Sequence, residues 1–497
     1  MSYSGTINYL YNLQKHGIKF GLENISRLMS LFDKPHESFL SVHVAGTNGK
    51  GSVSAIIASV LRTAGLKVGL FTSPHIVSFT ERIRINDEEI TENDVVGLTE
   101  EIRGVVERHG DFSPTFFEVV TAMALLYFKR KKVDIAVIEV GMGGRLDATN
   151  IITPEVSVIT NISYDHREFL GSTLKEIAHE KAGIIKDGVP VVVSYQEPEA
   201  MEVIERKAIE KGARLYVYGR DFSSALRRED LSGICFDYWS GDSQFAIPDL
   251  VLPLIGEHQM QNASAAIKAV ELINERRLKP AAIRQNEASM SYSETKGKED
   301  NPPSLPFSKG GKGGFLFEKI ILNFIREGLE NVRWPGRLEI VKEDPLILID
   351  GAHNPAAAGA LSKAFKKLFL RKYGRIIIVL GIMSDKDVRG IMEPLLPFAS
   401  EIILTSPEYS RAASPEKLAS TAAALGFFNV RIALTVKDAI EMAIKDSYKL
   451  QVTSYKLKNN KNSKLNSSLI LVTGSFYTIG EAKEALGVKS ILAKLRE

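Results

Sequence analysis

The stretch Ser41-Val42-His43-Val44-Ala45-Gly46-Thr47-Asn48-Gly49-Lys50-Gly51-Ser52 decides how this chain is read. A short β-branched run ends in a glycine-rich turn with one lysine and one hydroxyl, and an apolar helical pattern follows from Val53 to Ala64. The order is strand, phosphate loop, helix N-terminus. Glycines let backbone N–H groups converge on an anion, the lysine adds a point charge, and the hydroxyl is a hard ligand for Mg²⁺. The spacing departs from the common G-x-x-x-x-G-K-[ST] form, because Gly46 lies three residues before Gly49 and Gly51 separates Lys50 from Ser52. An ordinary βα turn also yields short glycine-lysine patterns. The strand before and the helix after favour phosphate, and with it ATP.

Working outward, 497 residues are too many for one core and imply two domains. With 44% hydrophobic and 25% charged residues the composition is that of a globular protein. No apolar run approaches the roughly 20 residues that span a bilayer. The polar segment Met1 to Lys15 lacks a signal-peptide core, so a cytoplasmic protein with no membrane partner is expected. The single cysteine, Cys235, excludes an internal disulfide; its neighbours Ile234, Phe236, Tyr238 and Trp239 suggest burial rather than reactivity. The net charge of +3 is outweighed by five lysines between Ser447 and Ser468, which leaves no general basic footprint for nucleic acid.

The first part of the chain alternates strands and helices. Strands are predicted at Lys67–Phe71, Val133–Val140, Val156–Thr160 and Val189–Val193, and helices at Glu118–Lys129 and Leu174–Lys181. Continuous apolar strands between helices mean a mainly parallel sheet covered on both faces. A second series follows Trp334, with strands at Leu346–Ile349, Ile376–Leu380, Ile402–Thr405, Val430–Leu434 and Leu469–Val472 and helices at Pro355–Leu368 and Pro415–Leu425. The fold class is therefore α/β: an N-terminal P-loop ATPase-type domain and a C-terminal Rossmann-like domain. The expected boundaries are 1–284, a linker at 285–333 with a low-complexity insertion, and 334–497 with a second insertion at 446–468. Both insertions read as surface sequence without a part in the chemistry.

Ligands of open α/β sheets bind at the carboxyl ends of the strands, and those ends carry the polar residues here. They are Thr72-Ser73-Pro74-His75, the run Glu139 to Asn150, and Thr160 to His166. A carboxylate such as Glu139 at the end of an apolar strand is costly unless paired or metal-bound. Ser52, Ser73, Glu139 and His166 could converge around Mg²⁺. Each has a plainer reading: Ser73 as a turn hydroxyl, Glu139 paired with Arg145, His166 as a loop histidine. Thr173 and Glu176 have capping-box spacing, and Gly183 marks the other end of that helix. Lys181 in its last turn would simply favour the helix dipole.

These residues carry a resemblance. The motifs Gly46–Ser52, Thr72–His75, Gly141–Asn150, Tyr164-Asp165-His166, His179–Ile184, Gly256–Gln259, Trp334–Glu339 and Asp350–Pro355, in that order along almost the whole chain, resemble folylpolyglutamate synthase/dihydrofolate synthase of the Mur ligase family. The resemblance implies an ATP-dependent amide ligase that adds L-glutamate to dihydropteroate, reduced folates or both through an acyl phosphate. It implies that Gly46, Thr47, Asn48, Gly49, Lys50, Gly51 and Ser52 cradle ATP phosphates, and that Asn262, Arg337 and Asp350 complete the nucleotide site. Ser73, Glu139 and His166 match Mg²⁺ positions, and Lys181 matches a lysine that relatives carbamylate to hold a second Mg²⁺. Gly21, Leu22, Glu23, Asn24, Phe116, Phe117, Glu118, Leu146, Asp147 and Ala148 match the pterin site, and His353 and Ser475 would face the incoming glutamate. Partners are then small molecules, and a monomer is expected. A cell-wall Mur ligase is the nearest alternative, but it would carry a UDP-binding domain ahead of the phosphate loop and lack Gly21-Leu22-Glu23. A regulatory nucleotide-binding module would leave Glu139, His166 and Lys181 without a role.

Overall fold

The structure, a computed structural model, describes residues 1–13, 21–110, 112–241, 245–277, 313–370, 372–455 and 468–487. Its first sheet contains β1 (Leu40–Ala45), β2 (Val68–Phe71), β3 (Ile83–Ile85), β4 (Glu88–Glu89), β5 (Ile135–Glu139), β6 (Val156–Ile159), β7 (Val191–Val193) and β8 (Leu215–Val217). The spatial order is β4-β3-β2-β5-β1-β6-β7-β8, parallel except for the edge strands β3 and β4. Strand β1 lies between β5 and β6, in registers that pair Val44 with Glu139 and Ala45 with Ile159. The loop leaving β1 therefore emerges beside the ends of both neighbours. That register brings Glu139 to the phosphate loop.

A second, antiparallel sheet of β9 (Phe222–Asp230), β10 (Gly233–Ser240) and β11 (Phe245–Leu252) was not anticipated. Its pattern is visible once the pairing is known. Ile234, Phe236 and Tyr238 point into a core shared with helix Lys50–Thr63, while Cys235, Asp237 and Trp239 alternate outward. Cys235 is consequently half-buried rather than a core residue. Helix His258–Arg277 packs on the same core.

The third sheet forms the C-terminal unit: β12 (Glu339–Glu343), β13 (Leu346–Ile349), β14 (Arg375–Leu380), β15 (Glu401–Leu404), β16 (Val430–Ile432) and β17 (Ser468–Thr473). Its order is β12-β13-β17-β14-β15-β16, with only β12 antiparallel. Both α/β series follow the expected fold class.

Two stretches differ from their reading as linker or insertion. Helix Gly313–Glu330 lies within the expected linker, yet Ile325 and Leu329 are fully buried and Ser59 Oγ donates to the Gly328 carbonyl at 2.6 Å. Its apolar run, Phe315-Leu316-Phe317 through Ile320-Ile321-Leu322, is long enough for a packed helix, and the adjacent Ser/Pro/Gly-rich stretch masked it. Helix Val436–Tyr455 runs into the second insertion. There Asp446 receives Arg431, and Ser447, 2% exposed, donates to the Ile444 carbonyl at 2.7 Å. The residues 278–312 and 456–467 lie outside those described.

The two α/β units meet at two apolar seams. Ile76 and Val77, from the loop after β2, join the C-terminal core around Ile347, Ile349 and Ile479. Leu231, at the β9–β10 turn, and Ile255 pack on the opposite C-terminal layer.

Candidate active site

The phosphate loop bridges β1 and helix Lys50–Thr63. Gly49 has φ 93°, and a Cβ there would lie 2.4 Å from Asn262 Oδ1, so the loop needs glycine and Asn262 sits against it. Lys50 Nζ curls over its own loop, donating to the carbonyls of Gly46 at 3.1 Å and Thr47 at 3.3 Å. The Thr47 hydroxyl donates to the Ser163 carbonyl at 3.0 Å, and Asn48 Nδ2 to Ser163 Oγ at 3.0 Å. Ser52 is 1% exposed, and its Oγ has no hydrogen-bond partner among the described residues. A buried hydroxyl left unpaired at the mouth of a phosphate loop fits a cation ligand.

Glu139 is also buried and accepts from the Ser73 backbone N–H at 3.0 Å. Burial raises its pKa, opposed by Lys50, the Ser73 N–H, Arg337 and Arg82. It is not paired with Arg145, which binds Glu180 at 2.9 Å instead. His166, at φ 49°, precedes the short helix Arg167–Leu170. Burial lowers its pKa to about 4 against the pull of Asp165, leaving a neutral imidazole at physiological pH. Among the described residues no three His, Cys, Asp or Glu side chains cluster as a metal site.

Helix Leu174–Ala182 starts at the expected capping box of Thr173 and Glu176 and ends at Gly183. Lys181 does not reach for the helix end. Its Nζ donates to the Gly46 carbonyl at 2.8 Å, and burial, reinforced by the Lys50 charge, lowers its pKa to about 7. The loop after Glu139 fixes this helix. Arg145 N donates to the Glu180 carbonyl at 2.7 Å, and Asn150 Nδ2 donates to the carbonyls of Arg145 and Gly183 at 2.9 and 3.1 Å.

The C-terminal unit faces this loop. Asp350 accepts from the backbone N–H groups of Leu338 and Ala352, both at 2.9 Å; burial raises its pKa and Arg337 opposes the rise. The Arg337 guanidinium lies 5.1 Å from the Phe476 ring centre. His353 hydrogen-bonds the Gly351 carbonyl at 2.8 Å and stands 3.4 Å from Asp165. Ser475 is buried, and its Oγ caps helix Phe476–Ala485 by accepting from Thr478 N at 3.0 Å. Three residues without a role in the sequence reading tie the halves together. Asn354 Nδ2 donates to Asn48 Oδ1 at 3.0 Å, and Lys386 Nζ donates to Asp165 Oδ1 at 2.6 Å. Burial alone would raise the Asp165 pKa, but His353, His166 and Lys386 together hold it below the carboxylate range. The signal for Lys386 was available: Ser384-Asp385-Lys386 follows the apolar strand β14, at the end where ligands bind.

The segments expected at the pterin site adjoin one another. Glu118 accepts from the Thr115 N–H at 2.6 Å and from Asn24 Nδ2 at 3.4 Å, which links the Gly21–Asn24 segment to helix Phe116–Lys131. Phe116 stacks on Tyr11 at 5.6 Å. Phe117 contacts Phe71 at 5.9 Å and fills the space above Gly141, where a Cβ would come within 2.4 Å of it. Asp147 is buried and occupied by Met142 N and by Thr149 N and Oγ1, with Leu146 half-buried and Ala148 buried beside it. Glu23 is exposed.

The chain is similar to known proteins over nearly its whole length. Residues 44–270 match the Mur ligase middle domain, and residues 336–453 match the Mur ligase glutamate ligase domain. The chain is 33% identical over 492 residues to the dihydrofolate synthase/folylpolyglutamate synthase of Bacillus subtilis, covering 98% of this chain and 99% of the relative. It is 35% identical over 420 residues to the folylpolyglutamate synthase of Lacticaseibacillus casei, covering 84% and 88%. Among solved structures, folylpolyglutamate synthase of Mycobacterium tuberculosis complexed with ADP aligns with a TM-score of 0.81 at 30% identity, covering 98% of this chain and all of that one. No helix among the described residues is long and apolar enough to cross a membrane.

Proposed function

The chain belongs to the Mur ligase family, in its folylpolyglutamate synthase/dihydrofolate synthase branch, and we propose that it divides ATP-dependent ligation of L-glutamate between its two α/β units. It is an acid–amino-acid ligase that uses ATP and adds L-glutamate to dihydropteroate, reduced folates or both. The observation that carries the division of labour is the hydrogen bond from Asn354, in the glutamate ligase domain, to Asn48 of the phosphate loop at 3.0 Å.

A carboxylate is a poor acyl donor because its leaving group would be oxide. Transfer of the ATP γ-phosphoryl group to the acceptor carboxylate gives an acyl phosphate and ADP; the glutamate amine then forms the amide and inorganic phosphate departs. In our reading the Gly46–Ser52 backbone receives the phosphates, and Lys50 uncurls from its own carbonyls to meet them. Asn262, Arg337 and Asp350 hold the nucleotide, the last two from the second unit. Bound Mg²⁺ supplies charge neutralisation on the phosphates, and Ser52, Ser73, Glu139, His166 and a carbamylated Lys181 would hold it. Carbamylation needs a neutral amine. Burial of Lys181, which brings its pKa to about 7, keeps that amine available to add CO₂ and release a proton. His353 positions the incoming glutamate; Ser475 contributes from the start of its capped helix. Splitting the nucleotide contacts between two units assembles the site on closure and keeps water from the acyl phosphate.

The acceptor lies against Gly21–Asn24, Phe116, Phe117, Glu118 and Leu146–Ala148, with Phe116 and Phe117 offering apolar faces to a flat pterin. Because the named Bacillus subtilis relative carries both activities in its name, we read this chain as bifunctional. We also read it as a cytoplasmic monomer, its lone cysteine fitting a reducing compartment. The test is ADP release by the purified protein with dihydropteroate or tetrahydrofolate, each with and without L-glutamate. Turnover that requires an acid and the amino acid together supports the reading. Ligation to tetrahydrofolate but never to dihydropteroate restricts the function to polyglutamylation.

A further inference from the structure

Four side chains from three separate stretches of chain close a cycle of contacts at the acceptor side of the cleft, and only Phe116 among them has a part in the ligation proposed above. Tyr11, in helix Tyr3–Asn12, stacks on Phe116 with ring centres 5.6 Å apart and planes 20° apart. The Arg82 guanidinium lies 5.5 Å from the centre of the same Phe116 ring. Arg82 Nε donates to His75 Nδ1 at 2.8 Å, and His75 Nε2 meets the Tyr11 hydroxyl at 3.2 Å, across 64 positions of sequence. Phe79 borders the cycle, its ring centre 6.2 Å from the imidazole and 6.0 Å from the guanidinium.

The donor inventory fixes the direction of both hydrogen bonds. A guanidinium only donates, so His75 Nδ1 offers its lone pair to Arg82. The neutral imidazole then carries its proton on Nε2, and that N–H donates to the Tyr11 oxygen. The position needs a side chain with one accepting end and one donating end. The same short loop also reaches the phosphoryl site. Thr72 N donates to the Arg82 carbonyl at 3.0 Å, and Ser73 N donates to Glu139 at 3.0 Å. The run Thr72–His75 therefore touches Glu139 near one end and the Tyr11–Phe116 stack, through His75, at the other.

We propose that His75 is a positioning residue for the acceptor: by holding the Tyr11 hydroxyl and the Arg82 guanidinium it fixes the aromatic wall at Phe116, and with it the place of the pterin relative to the loop that carries Ser73. The proposal rests on the acceptor placement given above and adds to it the group that holds the wall. His75 acts through Tyr11 and Arg82. Dihydropteroate and the reduced folates share the pterin end and differ at the other, so the wall serves both acceptors alike.

The experiment measures steady-state kinetics of the full-length protein with dihydropteroate and with tetrahydrofolate, and the KM for ATP beside them. His75→Ala is expected to raise the KM for both acceptors by the same factor, about fivefold, the size of one lost hydrogen bond, with kcat and the KM for ATP held within about twofold. Tyr11→Phe keeps the ring stack and removes the hydroxyl; it should give a similar rise, and the double variant no more than the larger single one. His75→Gln, with an amide oxygen to accept from Arg82 and an N–H to donate to Tyr11, should recover most of the loss. If His75→Ala does not fold, Tyr11→Phe and His75→Gln carry the test. Effects that multiply in the double variant, a rise with one acceptor alone, an equal rise in the KM for ATP, or no rise overturns the role of His75. Phe117→Ala that leaves the KM for both acceptors at the wild-type value overturns the acceptor placement itself. Wild-type protein that ligates neither acceptor overturns the ligase reading, before any variant is compared.

Discussion

Lys181 Nζ donates to the Gly46 carbonyl at 2.8 Å, joining the last turn of a helix to the phosphate loop across 135 positions of sequence. The amine proposed above to become a carbamate thus touches the loop proposed to receive the phosphates. Protein equilibrated with ¹³C-bicarbonate is expected to show one carbamate carbon resonance that disappears in Lys181→Ala. Because the pKa is lowered to about 7, the reactive neutral fraction grows as pH rises through that value. Carbamate occupancy at limiting CO₂ should rise in the same direction. Lys181→Ala should be inactive and partly restored by short carboxylates.

Glu139 and Lys50 should separate activity from stability. Burial raises the Glu139 pKa, so its ionised form is held at a cost to the fold. Glu139→Gln is therefore expected to melt at the same temperature as wild type or higher while losing about 10²–10³ in kcat, as expected for a charge-stabilising group. Lys50→Ala should lose kcat likewise with the fold retained, because among the described residues its ammonium hydrogen-bonds only to carbonyls of its own loop. A thermal melt and an ADP-release assay on the same preparation decide it.

The expected linker can be divided experimentally. A Cβ on Gly328 would lie 2.6 Å from the Val60 Cα, backbone that cannot move aside. Gly328→Val should lose about 1–3 kcal/mol, the cost of overpacking, in a denaturant titration. Removing 287–312 should keep kcat/KM within about tenfold, since loop closure costs grow slowly with length. Removing 456–464 should do the same, whereas a cut that begins at Ser447 removes a buried residue and should lower the melting temperature.

Much of this molecule was legible because its chemistry sits where its strands end. The phosphate loop, Glu139 and His166 were read from an apolar run followed by glycine or polar residues, and parallel pairing of β1 with β5 and β6 sets those strand ends side by side. The antiparallel sheet escaped because Ile234 to Tyr238 was read for its cysteine rather than for its alternation. Helix Gly313–Glu330 escaped because the biased stretch before it dominated the composition. Asn354 and Asp165 escaped for another reason: their partners lie hundreds of positions away across the domain seam, and no local spacing encodes that; Lys386 stood in view after β14, but its pairing with Asp165 did not.

A buried histidine gives the fold acid sensitivity. Burial lowers the pKa of His43, fully enclosed in β1, to about 3. Below pH 6.5 the unfolded chain takes up a proton that the folded one refuses, so stability falls with pH by about 1.4 kcal/mol per unit. Above 6.5 both states are neutral there and the contribution is complete. His43→Gln, with an amide to meet the Thr149 hydroxyl that contacts His43 at 2.8 Å, should show a shallower loss of melting temperature between pH 6.5 and 4.5.

A Cβ on Gly51 would stand 2.7 Å from the indole of Trp334, the residue that opens the second α/β unit. The glycine after the loop lysine is thus dictated by the other half of the molecule as well as by phosphate. A chimera that joins this nucleotide-binding half to a foreign glutamate-ligase half must inherit the tryptophan's exact fit or redesign the loop. The two halves therefore form a matched pair, and a domain exchange has to respect this contact together with the Asn354–Asn48 and Lys386–Asp165 bonds.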